Sequence, residues 1–214
     1  VAVDRQMKRL IETDLVAWKQ SSRRKPLLVR GARQVGKTYS IEQFGRDHFS
    51  RCVTVDLEKN RQWHRVFEGN LDVRQVVAEL ELVTRTRITP GETLLFFDEI
   101  QSCPRAVMAL RYLLEELPAL HVVAAGSLLE FATSEVPFPV GRVQFLELHP
   151  LTFAEYLWAV GRDRAAEVVL SEPQALPETT HRLLLSEAKV YSFVGGMPES
   201  VLTYAESGSL AGSF

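Results

Sequence analysis

Short runs of consecutive apolar residues alternate along this chain with longer stretches in which apolar residues recur every three or four positions. The first pattern predicts strands buried on both faces, the second amphipathic helices. Met7, Leu10, Ile11, Leu15 and Trp18 have helical spacing and predict a helix within residues 4–20. Ser21-Ser22-Arg23-Arg24-Lys25 reads as a loop, and Leu27, Leu28 and Val29 as a first strand. A glycine-bearing turn separates that strand from a helix beginning near Lys37, with Ile41 and Phe44 inward. Cys52 to Val55 form a second strand ending in Asp56, followed by a polar, irregular stretch through Asn60 and Trp63. Val73, Val76, Val77, Leu80 and Val83 are in phase for a helix over residues 72–87, which Thr89-Pro90-Gly91 breaks. A third strand, Thr93 to Phe97, runs into Asp98-Glu99. Pro104 opens a helix carrying Val107, Leu110, Leu114 and Leu117, stopped by Pro118. His121 to Ala125 is the fourth strand, followed by Gly126-Ser127, and Val143 to Leu148 the fifth.

Regular alternation of strand and helix predicts a three-layer α/β sandwich on a mostly parallel sheet, with residues 1–149 as its core domain. Beyond Pro150 the pattern turns purely helical, so residues 150–214 are expected to form a lid or second subdomain. Thr152 and Glu155 have capping-box spacing ahead of Tyr156, Leu157 and Trp158. Pro173 and Pro177 mark a linker, Glu178 to Val194 a helix ending at Gly195-Gly196, and Pro198 a last short helix.

Composition narrows the function classes. With 214 residues and 46% apolar side chains, the chain can bury a substantial core. A net charge of −2 removes any overall basic field for nucleic acid or anionic lipid, and Arg23-Arg24-Lys25 reads as a solvated loop. Two widely separated cysteines, Cys52 and Cys103, fit a reducing compartment. No secretory signal and no apolar run of the roughly 18 residues a membrane span needs is present, so a cytoplasmic location without a membrane partner is expected. The five histidines show no metal-ligand spacing. The chain begins at Val1 rather than Met, and a piece of a longer protein is expected.

The candidate chemistry sits in two strings. Gly31-Ala32-Arg33-Gln34-Val35-Gly36-Lys37-Thr38 fits Gly-x-x-x-x-Gly-Lys-[Ser/Thr] at every fixed position, between a strand and a helix. Glycines let the backbone N–H groups curl around phosphate, and the helix that follows adds the positive end of its dipole. Gly31 through Val35 together with Gly36, Lys37, Thr38 and Tyr39 form the expected nucleotide-binding set, with Arg33 and Gln34 solvent-facing. Lys37 is expected on the β- and γ-phosphates and the Thr38 hydroxyl on Mg²⁺. Leu94 to Phe97 then deliver two acids to the edge where doubly wound sheets bind ligands. Asp98 is expected to support the metal, and Glu99 to take a proton from the attacking water. Ser127 is either a γ-phosphate contact or a turn residue capping the next helix. Arg142 is either a charge stabiliser, acting on its own chain or on a neighbour, or one half of a surface ion pair. ATP is expected over GTP, since no Asn/Thr-Lys-x-Asp guanine-reading motif is present.

Several strings together resemble one family. They are Arg30 to Thr38, Phe97-Asp98-Glu99-Ile100-Gln101, Ala125-Gly126-Ser127-Leu128-Leu129, and Pro139-Val140-Gly141-Arg142. Leu148-His149-Pro150-Leu151-Thr152-Phe153-Ala154-Glu155 and Gly195-Gly196-Met197-Pro198-Glu199 complete the set. The chain resembles the prokaryotic AAA-type P-loop ATPases, whose members usually carry a C-terminal domain of restriction-endonuclease-like character. The resemblance implies a sheet in the order 5-1-4-3-2, with the region past Pro150 as lid or winged-helix portion. It implies a sensor role for Ser127 and a recurring Gly-Arg motif at Arg142. Ala32 stands where the family commonly has proline, and Tyr39 where it commonly has a second threonine. The family's C-terminal domain is not among these residues. The expected function is Mg²⁺-dependent ATP hydrolysis coupled to conformational change in a larger protein. The alternatives are a nucleotide-gated interaction module with little turnover, completed by self-association, and a role on DNA through that further domain.

Overall fold

The computed structural model describes residues 7–127, 139 and 141–209. They form two compact units, one of Ile11–Leu148 and one of residues 7–10 with 149–209.

In the first unit five parallel strands, β1 (Leu27–Gly31), β2 (Arg51–Asp56), β3 (Thr93–Asp98), β4 (His121–Ser127) and β5 (Gln144–Glu147), lie in the order β2-β3-β4-β1-β5. That is the expected order read from the other edge. Every residue of β3 and β4 is buried, which is why these strands read as unbroken apolar runs rather than alternating ones. Leu28, Val53, Val55, Leu95, Phe97, Val122 and Ala124 share one core with helices α3 (Val73–Thr84) and α4 (Pro104–Glu116). Helix α2 (Lys37–His48) packs against β1 to β4, beside α1 (Ile11–Gln20). Gly45 of α2 is needed there, since a Cβ on it would stand 2.5 Å from Cys52 Sγ of β2.

Several boundaries differ from the sequence reading. The first helix begins at Ile11, and residues 4–6 of the expected span lie outside the described residues. Residues 7–10 stay outside the helix, where Arg9 and Leu10 give their donors to Glu155 and His149, as described below. Helix α3 stops at Thr84, where Arg85 turns left-handed (φ 53°) and Glu81 accepts the Ile88 N–H at 2.6 Å. The polar stretch after β2 contains a 3-10 turn, Arg61–Phe67, anchored by fully buried Phe67.

The second unit is helical, with α5 (Phe153–Ala159), α6 (Asp163–Leu170), α7 (Glu178–Val194) and α8 (Pro198–Ser207). Helix α6 had no separate signature in the sequence, but it buries Ala165 and Ala166 in the core with Tyr156, Leu157, Val194 and Val201. The expected capping box forms: Thr152 accepts from the Glu155 N–H and Glu155 from the Thr152 N–H. Glu155 also accepts from the Arg9 guanidinium at 2.9 Å and the Leu10 N–H at 2.8 Å. Arg9 reaches the His149 carbonyl at 2.8 Å as well. Gly196 lies so close to the Leu151 backbone that a Cβ would come within 2.4 Å of its carbonyl oxygen. This contact and the Leu151 N–H bond to the Gly196 carbonyl join the His-Pro-Leu and Gly-Gly strings.

Candidate functional site

The carboxyl ends of the strands gather the candidate residues of the first unit. Gly31 and Ser127 are register partners on β1 and β4, and Asp56 and Asp98 on β2 and β3. Past Gly31 the chain rises into a loop whose Ala32, Arg33 and Gln34 are exposed and whose Val35 is fully buried as an anchor. Two left-handed residues shape it, Gln34 (φ 65°) and Gly36 (φ 90°). A left-handed glutamine costs about 1–2 kcal/mol, a strain that clusters at ligand sites. Gly31 admits no side chain, because a Cβ would stand 2.3 Å from the Leu148 carbonyl oxygen just past β5. Its small size thus fixes the approach of loop to sheet. Tyr39 is exposed on the first turn of α2.

Lys37 is buried at the start of α2, and its Nζ donates to the Gly31 and Ala32 carbonyls at 3.1 and 2.8 Å. The next residue closes the site onto the sheet: Thr38 Oγ1 donates to Asp98 Oδ2 at 2.7 Å. Asp98 is 5% exposed, and the Glu99 N–H donates to its other oxygen at 3.1 Å. Burial pushes the Asp98 carboxyl above its ordinary value, and the charges of Glu99 and Asp56 push the same way against the Thr38 bond. A cation beside Asp98 relieves that excess of negative charge. A hydroxyl and a carboxylate are the hard oxygen donors that Mg²⁺ prefers, so these residues fit the metal the motif implies. Among the described residues no cluster of three or more His, Cys, Asp or Glu side chains offers another metal site.

Glu99 follows β3 in a left-handed conformation (φ 48°, ψ 46°), half-buried, as the chain drops into a 3-10 turn over Ile100–Ser102. Gln101 Nε2 donates to Glu99 Oε2 at 2.5 Å. In the sequence Gln101 carries no assigned task, because the turn that brings it onto Glu99 has no signature in the neighbouring residues. In the sequence Asp56 likewise marks only the end of a strand. Its place beside Asp98 follows from the β2–β3 register.

Arg142 is not part of this grouping. It precedes β5, at the amino-terminal edge of the sheet, and its half-exposed side chain pairs with Glu115 at 3.4 Å. Ser127 does lie at the site, buried beside Gly31. Leu128, Leu129 and Val140 of the family strings lie outside the described residues. Two of the basic triplet are engaged with the fold: Arg24 donates to the Pro118 carbonyl at 3.1 Å and Lys25 to the Gly141 carbonyl at 2.7 Å, while Arg23 is exposed. Among the described residues no helix is long and apolar enough to cross a membrane.

The family model of an AAA domain matches residues 23–157, more than half of the chain. Among solved structures, that of C. elegans PCH-2 is similar at 14% identity, covering 94% of this chain and 62% of that one, with a TM-score of 0.51. The Drosophila ORC, solved bound to DNA, is 13% identical, covering 88% of this chain and 56% of that one, with a TM-score of 0.49. The chain therefore spans less than two thirds of those chains' length, and at such identity the likeness to PCH-2 is one of fold. No curated protein sequence matches the chain.

Proposed function

This chain belongs to the AAA domain family, and from that premise we propose that its P-loop binds ATP and that Glu99 drives hydrolysis. The observation carrying the reading is the 2.7 Å bond between Thr38 and Asp98, which links the phosphate loop to the acid-bearing strand tip. The amides of residues 31–38 and the start of α2 cradle the β- and γ-phosphates. Lys37 exchanges its carbonyl partners for phosphate oxygens, adding charge-assisted bonds. Thr38 and Asp98 would hold Mg²⁺, which neutralises charge building on the phosphate oxygens. Glu99 accepts a proton as the water oxygen bonds to the γ-phosphorus. The bond to the β–γ bridging oxygen breaks, and ADP and phosphate leave. Ser127, the register partner of Gly31, would donate to a γ-phosphate oxygen. The helical unit past Pro150 is the part whose movement hydrolysis would drive. A cytoplasmic setting within a longer protein fits this reading.

Calorimetric Mg-ATP titration and phosphate-release assays test it. Lys37→Ala is expected to weaken ATP binding at least about ten-fold. Affinity and turnover equal to wild type would end the proposal.

An Arg142 role in the chemistry would have to be played on a neighbouring copy, because within its own chain the side chain pairs with Glu115 away from the loop. Within one chain this arginine faces the opposite end of the sheet from the phosphate loop. Turnover per chain is therefore expected to rise with protein concentration, while dilute protein binds ATP and hydrolyses it slowly. Turnover per chain that stays flat from nanomolar to tens of micromolar excludes this arrangement.

A further inference from the structure

We infer that Gln101 is a positioning residue for Glu99, holding its carboxylate for the hydrolytic step; this inference rests on the ATPase reading above. Gln101 follows Glu99 by two residues, a separation at which side chains on an α-helix do not face each other. Left-handed Glu99 and the 3-10 turn after it bring them together, and Gln101 Nε2 donates to Glu99 Oε2 at 2.5 Å. A carboxylate only accepts, so the amide must present its nitrogen to it. The contact engages one carboxylate oxygen and leaves the other to take a proton.

The turn defines the reach of this amide. Ile100 is fully buried beneath it, and the N–H groups of Ser102 and Cys103 donate to the carbonyls of Glu99 and Ile100 at 2.9 and 3.0 Å. Glu99 itself is half-buried, with three rotatable side-chain bonds to be held. A general base must stand within hydrogen-bond reach of the proton it removes, so restricting those bonds bears directly on rate.

The far end of the same amide gives the second observation. Gln101 Oε1 is buried without a hydrogen-bond partner. An orphaned buried acceptor destabilises the fold, and an apolar side chain of similar size would leave none. Burial for structure alone favours satisfying both ends of the amide. Here its satisfied end goes to the acid of the site, a preference for function over stability.

The test replaces Gln101 by leucine in the whole chain and measures thermal midpoint, Mg-ATP affinity and turnover. For Gln101→Leu the midpoint is expected to equal or exceed the wild type, with affinity within about two-fold and kcat lowered at least about ten-fold. In a Glu99→Gln background the same change is expected to remove nothing further, because the residue acts through Glu99. Any of four results overturns the inference: unchanged kcat, raised kcat, a loss of affinity matching the loss of kcat, or an equal loss in the Glu99→Gln background. Gln101→Met, closer in length to glutamine, decides in the same terms if leucine packs badly. A wild type that neither binds nor hydrolyses ATP sinks the ATPase reading instead. A wild type that is disabled by Glu99→Gln but unmoved by Gln101→Leu sinks this inference alone.

Discussion

Glu99→Gln is expected to lower ATP turnover by about 10²–10⁴-fold, about 3–5 kcal/mol of activation free energy, while ATP binds as tightly as to the wild type. The exchange keeps volume and shape and removes the negative charge and with it the capacity to take a proton. Affinity should hold because the residues placed to meet phosphate are those of the loop, Lys37 among them, rather than the tip of β3. The left-handed backbone at Glu99 supports the same expectation, since a non-glycine residue held there at a cost of about 1–3 kcal/mol signals a site that over-determines its position. Single-turnover phosphate release and calorimetric titration separate the two effects. Turnover within a factor of about three of wild type would remove Glu99 from the chemistry.

Arg9→Ala is expected to destabilise the helical unit by about 3 kcal/mol without a comparable effect on the strand-bearing unit. Arg9 and Glu155 have side chains only 5% and 4% exposed, and they meet at 2.9 Å. Removing the guanidinium leaves a buried carboxylate short of one donor. The loss falls at the lower end of the range for broken buried pairs because the Thr152 and Leu10 N–H groups remain. Hydrogen exchange at the amides of α5 and α7 reads the local stability. Protection unchanged from wild type would show that the ion pair is dispensable. The same contact sets a pH dependence. Burial opposes ionisation of Glu155, but the N–H groups of Thr152 and Leu10 and the Arg9 guanidinium outweigh it and hold its carboxyl below the ordinary value. A depressed carboxyl contributes stability fully above its unfolded value of about 4.3 and loses it as pH falls towards the folded one. The advantage of wild type over Glu155→Gln should accordingly be constant at neutral pH and shrink below about pH 4.

Much of the fold was legible because its central strands β1, β3 and β4 are buried on both faces. Leu27-Leu28-Val29 and Leu94 to Phe97 read as strands for that reason, and the phase of Val73, Val76 and Leu80 marked α3. Boundaries were less legible where a distant partner decides them. Residues 7–10 have helical apolar spacing, yet Leu10 gives its N–H to Glu155, 145 positions away. Arg85 ends α3 with a left-handed turn that no glycine announces.

Local order along the chain was enough to mark the glycine-bearing loop between β1 and α2, the two acids after β3 and the strand–helix alternation. Each depends on residues within a few positions of one another, where backbone geometry and side-chain period act directly. Only the folded molecule decided the residue-by-residue register of the strands. It brought Ser127 beside Gly31 and Asp56 beside Asp98, carried Arg142 to the opposite edge, and turned Gln101 onto Glu99. Those outcomes depend on strand register and on a strained turn. Both are settled by burying the whole core at once, and neither leaves a periodic trace in the neighbouring residues.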